Sequence, residues 1–368
     1  MKIIHVVGAR PNFMKIAPII AACQKCGKIE SVLVHTGQHY DEEMSDLFFR
    51  QLGITEPDVN LEVGSASHAV QTAEIMKAFE PVVLEHKPDA VLVVGDVNST
   101  IACGLVAVKL GVKLIHVEAG LRSGDRSMPE EINRILTDSI SDILFCTEQS
   151  GVNNLLAEGI PRDKIHMVGH VMIDTLLKNI EKAKASNIHN QINETFDIDC
   201  GSGYAILTLH RPGNVDDPVV FGRILDVLEV IQNDMPIIFP IHPRTRKNID
   251  GTDFGNRVNN MTNLYLLDPV GYLDFLNLTS NAKLVLTDSG GIQEETTILK
   301  IPCLTLRQNT ERPVTVEMGS NHVVGTNTEN ILRVYKKVIG DSRRESQIPP
   351  LWDGNAARRI IDLIIKNV

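Results

Sequence analysis

The chain has 368 residues, 43% of them hydrophobic, enough for two ordinary domain cores rather than one. A net charge of -10 and a single Trp among 4% aromatic residues argue against a nucleic-acid partner, which needs a basic surface and stacking platforms. No apolar run approaches the ~20 residues that span a bilayer, and the chain starts on a short strand-like run rather than a signal peptide, so no membrane association and a cytoplasmic location are expected.

In chain order, the first apolar run, Ile3 to Val7, predicts a buried strand, followed by the turn Gly8-Ala9-Arg10-Pro11 and a helix beginning near Asn12 that carries Lys15. Cys23 and Cys26 form a CxxC late in that helix, with no second pair and no neighbouring ligand His, so helix packing is the reading. All six cysteines read as reduced core residues. Strands follow at Ser31 to His35, Ala90 to Val94, Leu114 to Val117 and Ile143 to Phe145, each with a polar turn and a helix after it. A helical stretch from about Val171 runs into the polar Ser186 to Gly203, which has a linker's composition. The pattern resumes with strands at Ala205 to Leu209, Ile237 to Phe239, Leu264 to Leu266, Leu284 to Thr287 and Cys303 to Leu306, and a closing helix from about Ala356. The class is therefore α/β, with two Rossmann-like doubly wound domains facing across a cleft. The expected division is 1–170, joined by the C-terminal helix 355–368, and 171–354.

Ligands of open α/β sheets bind beyond the carboxyl ends of the strands, so the strand-to-helix turns are where chemistry is sought. After Leu284 to Thr287 come Asp288, Ser289, Gly290 and Gly291, then a helix. Glycines let an anion approach the backbone, free N–H groups and the helix dipole face it, and Ser289 adds a hydroxyl; a tight turn is the plainer alternative. Glu295, one turn on, is placed to accept two sugar hydroxyls, or else is a solvated helix-face charge. Arg10 and Lys15 offer cations at the first strand end, with solvated surface charge as the alternative for Lys15, and Arg312 in Thr310-Glu311-Arg312-Pro313 offers a third. Asp96, Glu118 and Glu130 follow consecutive strands or turns in the first domain. Three carboxylates converging on one crevice would repel one another and raise at least one pKa, which yields a proton carrier. The plainer readings are an N-cap for Asp96 and compensation of the helix dipole for Glu130 and Glu131. His210 and Arg211, in His210-Arg211-Pro212-Gly213-Asn214, stand at a further carboxyl end as a candidate acid and phosphate partner, while His242 reads as a packing or hydrogen-bonding residue.

Together the segments Gly8-Ala9-Arg10-Pro11, Gly37-Gln38-His39, Gly95-Asp96-Val97-Asn98-Ser99-Thr100 and His116-Val117-Glu118-Ala119-Gly120-Leu121-Arg122 closely resemble the non-hydrolysing UDP-N-acetylglucosamine 2-epimerase family. So do Met128-Pro129-Glu130-Glu131-Ile132-Asn133-Arg134, Asp288 to Glu295 and Thr310-Glu311-Arg312-Pro313, and the resemblance covers nearly the whole chain. It implies a two-Rossmann-domain fold like that of GT-B glycosyltransferases, with UDP held mainly by the second domain. It also implies interconversion of UDP-N-acetylglucosamine and UDP-N-acetylmannosamine through elimination of UDP to 2-acetamidoglucal and re-addition. No nicotinamide, other cofactor or metal is required, and a homodimer serving polysaccharide biosynthesis is expected.

By the same resemblance, Asp96, Glu118 and Glu130 match the family's acid and base carboxylates and His210 its catalytic histidine. Arg10 and Lys15 match substrate-side cations, and Ser289, Gly290 and Gly291 the diphosphate cradle. Glu295 matches the ribose carboxylate, Arg312 the second-domain cation and Phe275 the uracil-side aromatic. Gly213 departs from the pattern, standing where the family carries a Glu. In bacterial members a second UDP-N-acetylglucosamine binds near the active site and activates the enzyme, with contacts near the Gln38-His39 and Arg211 regions. The neighbouring readings are an epimerase of a UDP-linked diacetamido uronic acid, a hydrolysing relative that releases N-acetylmannosamine and UDP, a glycosyltransferase of the same fold, and a non-catalytic nucleotide-sugar sensor.

Overall fold

Runs of Val, Ile and Leu with no polar alternation make strands buried on both faces, and such strands pair in parallel under helices. In the computed structural model, which describes residues 1–37, 53, 56–340 and 346–368 and every side chain among them except that of Arg10, they form two sheets. The chain divides into two units, one of Met1–Lys178 with Pro350–Val368 and one of Asn179–Pro349.

The first unit holds β1 (Lys2–Val7), β2 (Glu30–His35), β3 (Val59–Asn60), β4 (Ala90–Val94), β5 (Lys113–Val117), β6 (Ile143–Cys146) and β7 (Ile165–Met167). They lie in the order β3-β2-β1-β4-β5-β6-β7, and every pair is parallel. Val91 and Val93 of β4 face a core that includes Ile4, Val32, Phe79 and Ala102. The second unit repeats the topology with β8 (Ala205–Thr208), β9 (Ile237–Pro240), β10 (Leu264–Leu267), β11 (Leu284–Thr287), β12 (Cys303–Thr305) and β13 (Asn321–Val323), in the order β10-β9-β8-β11-β12-β13. Each sheet therefore reverses its winding once, between β1 and β4 and between β8 and β11. Helices leave in opposite directions at these points and open a crevice over the carboxyl ends.

Three strands carry too little signal to be expected from sequence: β3, β7 and β13 are edge or near-edge pieces of two or three residues with polar members such as Asn60, His166 and Asn321. The linker reading of Ser186 to Gly203 is corrected. That stretch contains the helix Ile188–Phe196, whose Ile188 and Ile192, one turn apart, are buried against Tyr204 and Leu278, and a 3-10 turn at Cys200–Ser202. Its polar residues are the outer face of a short amphipathic helix. Cys23 of the CxxC is fully buried within the helix Arg10–Cys26, and all six cysteines are free. Among the described residues, no helix is long and apolar enough to cross a membrane.

The C-terminal helix Ala356–Asn367 is tied into the first unit at its start. Buried Asp174 accepts the backbone N–H groups of Ala356 at 3.1 Å and Ala357 at 2.7 Å, satisfying two donors that a helix N-terminus leaves open. Trp352, 2% exposed, lies edge-on to His170 and donates its indole N–H to the Thr147 carbonyl at 2.9 Å. As the only Trp in the chain, it reports on this unit alone. Asp174→Ala is expected to lower the stability of the first unit by about 1–2 kcal/mol. Equilibrium denaturation followed by Trp352 fluorescence measures this, and an unshifted midpoint would show that the cap does not hold the helix.

Candidate functional site

In the first unit β1, β4 and β5 end side by side. The turn after β1 is shaped by Asn12, whose Oδ1 accepts the N–H groups of Gly8 at 3.2 Å and Ala9 at 3.0 Å, while its Nδ2 donates to the Val94 carbonyl at 3.1 Å. One side chain therefore links the ends of β1 and β4. Lys15, one turn later, is buried and forms an ion pair with buried Glu118, so the reading of Lys15 as solvated surface charge is corrected. Gly95 lies under this pair with φ +70°, and a Cβ there would stand 3.0 Å from Lys15 Nζ. Glu118 itself has φ +75° and is 3% exposed. A left-handed backbone at a non-glycine residue carries strain of about 1–3 kcal/mol and persists only where its surroundings over-determine it. Here the N–H groups of Glu118 and Ala119 both donate to the Phe145 carbonyl at 3.0 Å.

Asp96 pairs with Arg134 at 2.7 Å, and Arg134 also holds Glu131 at 2.8 Å. The N-cap of the helix Asn98–Lys109 is Val97, so Asp96 is not a cap; the Asn133 amide fixes its carbonyl at 2.9 Å. Glu131 accepts the N–H groups of Ser123 at 3.0 Å and Gly124 at 2.9 Å. Burial pushes its carboxyl up, but those two N–H groups and Arg134 outweigh burial and hold it below its ordinary range. Glu131 thus anchors a loop, whereas Glu130 is half-buried and makes no hydrogen bond or ion pair among the described residues. The mutual repulsion expected of three converging carboxylates is offset at two of them by cations, Lys15 and Arg134. Arg10 begins the helix Arg10–Cys26, and its side chain lies outside the described atoms, as do Gln38 and His39.

In the second unit β8 and β11 end together, their last threonines joined through their hydroxyls at 2.6 Å. Fully buried Asp288 organises both turns. It accepts the N–H groups of His210 at 3.1 Å and Arg211 at 2.9 Å, the Asn214 amide at 3.2 Å, and pairs with His210 Nδ1 at 2.9 Å. Burial pushes the Asp288 carboxyl up, yet the His210 ring and these backbone donors hold it below its ordinary range. With Nδ1 committed to Asp288, His210 has Nε2 left for a ligand. Arg211 donates through Nε to the Asp288 carbonyl at 3.0 Å. His242 accepts the Arg244 N–H at 3.2 Å and so caps the helix Pro243–Ile249, the hydrogen-bonding role read from its sequence. Gly213 is exposed with open space around the position of a Cβ, so the missing Glu removes a side chain without leaving a hole.

Ser289 is the N-cap of the helix Gly290–Leu299 but makes no side-chain cap bond, so the first-turn N–H groups are not closed off by its hydroxyl. Arg312 stands beside them, its Nη1 2.9 Å from where a Cβ of Gly290 would lie. Behind it is a buried cluster: Glu311 meets Arg312 at 3.0 Å, Arg307 at 2.9 Å and Arg211 at 3.8 Å, while Arg312 also pairs with Glu294. Burial alone would raise the Glu311 carboxyl, but Arg312 and Arg307 drive it far below its ordinary range. Three guanidinium groups, of Arg211, Arg307 and Arg312, stand against three carboxylates, of Asp288, Glu294 and Glu311, so the helix start is charge-balanced, with Arg312 the guanidinium nearest Gly290. Thr310 sets the loop by donating to Gln293 at 2.7 Å and accepting the Arg312 N–H at 3.1 Å. Phe275, half-buried, packs against the core around Tyr204 and Leu278.

Glu295 is not a solvated helix charge. It is 4% exposed, within 3.4 Å of the Tyr272 hydroxyl, and burial together with the neighbouring Glu294 charge pushes its carboxyl up to about 8 despite the tyrosine. Residues that the sequence reading leaves without a role are Arg134, Asp288, Glu294, Arg307 and Glu311, all buried and all partnered. The Glu131–Arg134 spacing of three within a helix is the one local cue to such pairing. A carboxyl raised in the fold binds a proton that the unfolded chain, with its ordinary value of 4.5, releases. Its stabilising contribution is complete below pH 4.5 and is lost as pH rises through about 8. Glu295→Gln should therefore flatten the decline in thermal midpoint between pH 5 and 8 and raise the midpoint at pH 8, by about 2–4 °C for each kcal/mol released. Parallel pH profiles for the variant and the parent protein would refute that protonation state.

Residues 21–365 match the family model described as UDP-N-acetylglucosamine 2-epimerase. The chain is 43% identical over 367 residues to the UDP-N-acetylglucosamine 2-epimerase of Methanocaldococcus jannaschii, covering 99% of each. It is 40% identical over 370 residues to the UDP-2,3-diacetamido-2,3-dideoxy-D-glucuronate 2-epimerase of Pseudomonas aeruginosa, covering both completely. Among solved structures, the crystal structure of the Methanocaldococcus jannaschii UDP-GlcNAc 2-epimerase in complex with UDP-GlcNAc and UDP matches with a TM-score of 0.90 and 42% identity over the whole of both chains. Two parallel-sheet α/β units with polar clusters at their switch points, and identity of this extent from end to end, place the chain in the UDP-N-acetylglucosamine 2-epimerase family.

Proposed function

We propose that the chain epimerises UDP-N-acetylglucosamine at C2 by eliminating UDP and adding it back. The observation that carries this reading is, in the second unit, a helix start whose first-turn N–H groups are not capped by the Ser289 hydroxyl, with the Arg312 guanidinium against Gly290. Backbone N–H groups with a guanidinium beside them suit a diphosphate, and suit it better once the glycosidic bond has broken and the leaving oxygen has gained charge. Ser289, Gly290, Gly291 and Arg312 take the diphosphate in this reading, Glu295 the ribose and Phe275 the uracil side. His210, held through Nδ1 by Asp288, presents Nε2 to the leaving group. Arg10, Lys15 and Arg211 supply further cations, Lys15 through its pair with Glu118.

The first unit supplies proton transfer. One carboxylate among Asp96, Glu118 and Glu130 removes the C2 proton while the C1–O electron pair leaves with UDP, giving the C1–C2 double bond of 2-acetamidoglucal. A second returns a proton to the opposite face as the UDP oxygen attacks C1. Atoms and electrons balance without an oxidant, so the steps call for no nicotinamide. Glu118, fixed against Lys15, and Glu130, with no partner of its own among the described residues, are differently placed acids as such a two-faced transfer demands. A cytoplasmic homodimer, activated by a second UDP-N-acetylglucosamine at the Arg211 side and feeding polysaccharide synthesis, extends the reading.

Incubation with UDP-N-acetylglucosamine in deuterated water, followed by proton NMR, should show deuterium entering C2 as the manno epimer accumulates. Epimerisation that retains the C2 proton would exclude elimination, and conversion only of a diacetamido uronic acid substrate, or release of free N-acetylmannosamine, would reassign the reaction. Glu118→Gln should lower kcat by about 100-fold or more with UDP affinity nearly unchanged, since it removes proton transfer and leaves the diphosphate site intact. Equal losses in both would make Glu118 a binding residue.

A further inference from the structure

Two residues that the proposed chemistry does not use sit directly behind the first unit's strand ends. His116, in β5, and Asp138, in the helix Pro129–Ile140, are both fully buried and meet through Nδ1 and Oδ1 at 2.7 Å. The other ring nitrogen of His116, Nε2, stands 2.9 Å from the Gly95 carbonyl oxygen. A carbonyl only accepts, so Nε2 carries a hydrogen and donates it to Gly95. The second oxygen of Asp138 accepts the Gly120 N–H at 3.0 Å and meets Arg122 Nη1 at 2.7 Å, and Arg122 is held in turn by Glu158 at 2.8 and 2.6 Å.

These bonds reach the backbone at two places that matter for catalysis. The Gly95 carbonyl belongs to the peptide leading into Asp96, and the Gly120 N–H comes two residues after Glu118. Between them lies the strained left-handed turn at Glu118, with Gly95 N–H donating to the Val117 carbonyl at 3.1 Å to close the frame. A Cβ at Gly120 would run into the Gly151 carbonyl, so the loop lies flat against the next helix and cannot relax outward. The energy that keeps Glu118 at φ +75° therefore comes from contacts on either side of it, and the imidazole and carboxylate supply one on each side. We infer that His116 and Asp138 are positioning residues for the epimerisation: one hydrogen-bonded pair fixes the backbones of both Asp96 and Glu118 and so sets where their carboxylates stand relative to C2. Without the pair, the bonds of the Glu118 and Ala119 N–H groups to the Phe145 carbonyl are left to hold the strained turn.

The inference rests on reading Asp96 and Glu118 as the proton carriers. His116→Asn, which keeps a donor toward Asp138 and loses Gly95, His116→Gln, which keeps the donor toward Gly95, and Asp138→Asn are compared with Glu118→Gln in the full chain. Readouts are kcat, KM, the rate of deuterium entry at C2 and UDP affinity by calorimetry. His116→Asn and Asp138→Asn should lower kcat and C2 exchange by about 100-fold, as a displacement of about 1 Å at reacting groups does. Their UDP dissociation constants should stay within about twofold of the parent protein, and His116→Gln should recover part of the rate. Unchanged kcat per folded molecule in these variants, with Glu118→Gln inactive, would overturn the positioning role alone; an active Glu118→Gln would overturn the underlying reading. A parallel fall in UDP affinity would mark the pair as merely structural. Neutron diffraction of the unmodified protein tests the hydrogen bonding independently of whether variants fold: a deuteron on Nε2 facing the Gly95 oxygen is expected, and a bare Nε2 contradicts the inference.

Discussion

A carboxylate taken out of water must be met by cations or N–H donors, because leaving it alone costs more than the fold can supply. The strand ends of both units are built around that constraint. Glu118 is met by Lys15, Asp96 and Glu131 by Arg134, Asp138 by His116 and Arg122, Asp288 by His210 and two backbone N–H groups, and Glu311 by arginines. Each pairing fixes a loop as well as a charge. The crevices at the switch points can carry ionisable groups because those groups arrive already neutralised and oriented.

The same arrangement divides the chemistry. In the first unit two cations, Lys15 and Arg134, meet three carboxylates, Glu118, Asp96 and Glu131, so the acids there are held in place but only partly neutralised. In the second unit a guanidinium, that of Arg312, stands beside first-turn N–H groups that the Ser289 hydroxyl does not cap, which favours an anion whose charge grows during the reaction. The left-handed turn at Glu118 is the place where backbone strain is accepted to aim a side chain. Glu295 is an exception, a buried acid whose neighbours do not neutralise it and whose carboxyl is consequently pushed up to about 8, first by burial and then by Glu294.

Sequence reasoning finds what repeats along the chain. The central strands Ala90–Val94 and Leu284–Thr287 are legible to the residue because they are unbroken apolar runs between turn signals. The edge strands β3, β7 and β13 escape it because two or three residues at a sheet border need no hydrophobic pattern. The helix Ile188–Phe196 hides behind its polar outer face. Candidate residues at strand ends are legible because doubly wound sheets place ligands there, but their partners are not. Whether Lys15 faces solvent or Glu118, and whether Glu295 lies on a wet helix face or in a dry pocket, depends on residues more than 20 positions away, such as Tyr272 or the β5 end. Resemblance names the residues without telling which cation meets which acid.

In the proposed reaction UDP stays at the helix start Ser289–Gly291 while its bond to the sugar is broken and remade. Substrate labelled with oxygen-18 in the bridge between C1 and the β-phosphorus tests this most directly. Rotation of the β-phosphate between cleavage and re-addition should spread the label from the bridging to the non-bridging oxygens in UDP-N-acetylglucosamine recovered after many turnovers at equilibrium. Complete epimerisation with the label wholly retained in the bridge, and with neither UDP nor 2-acetamidoglucal in quenched reaction mixtures, would contradict elimination of UDP.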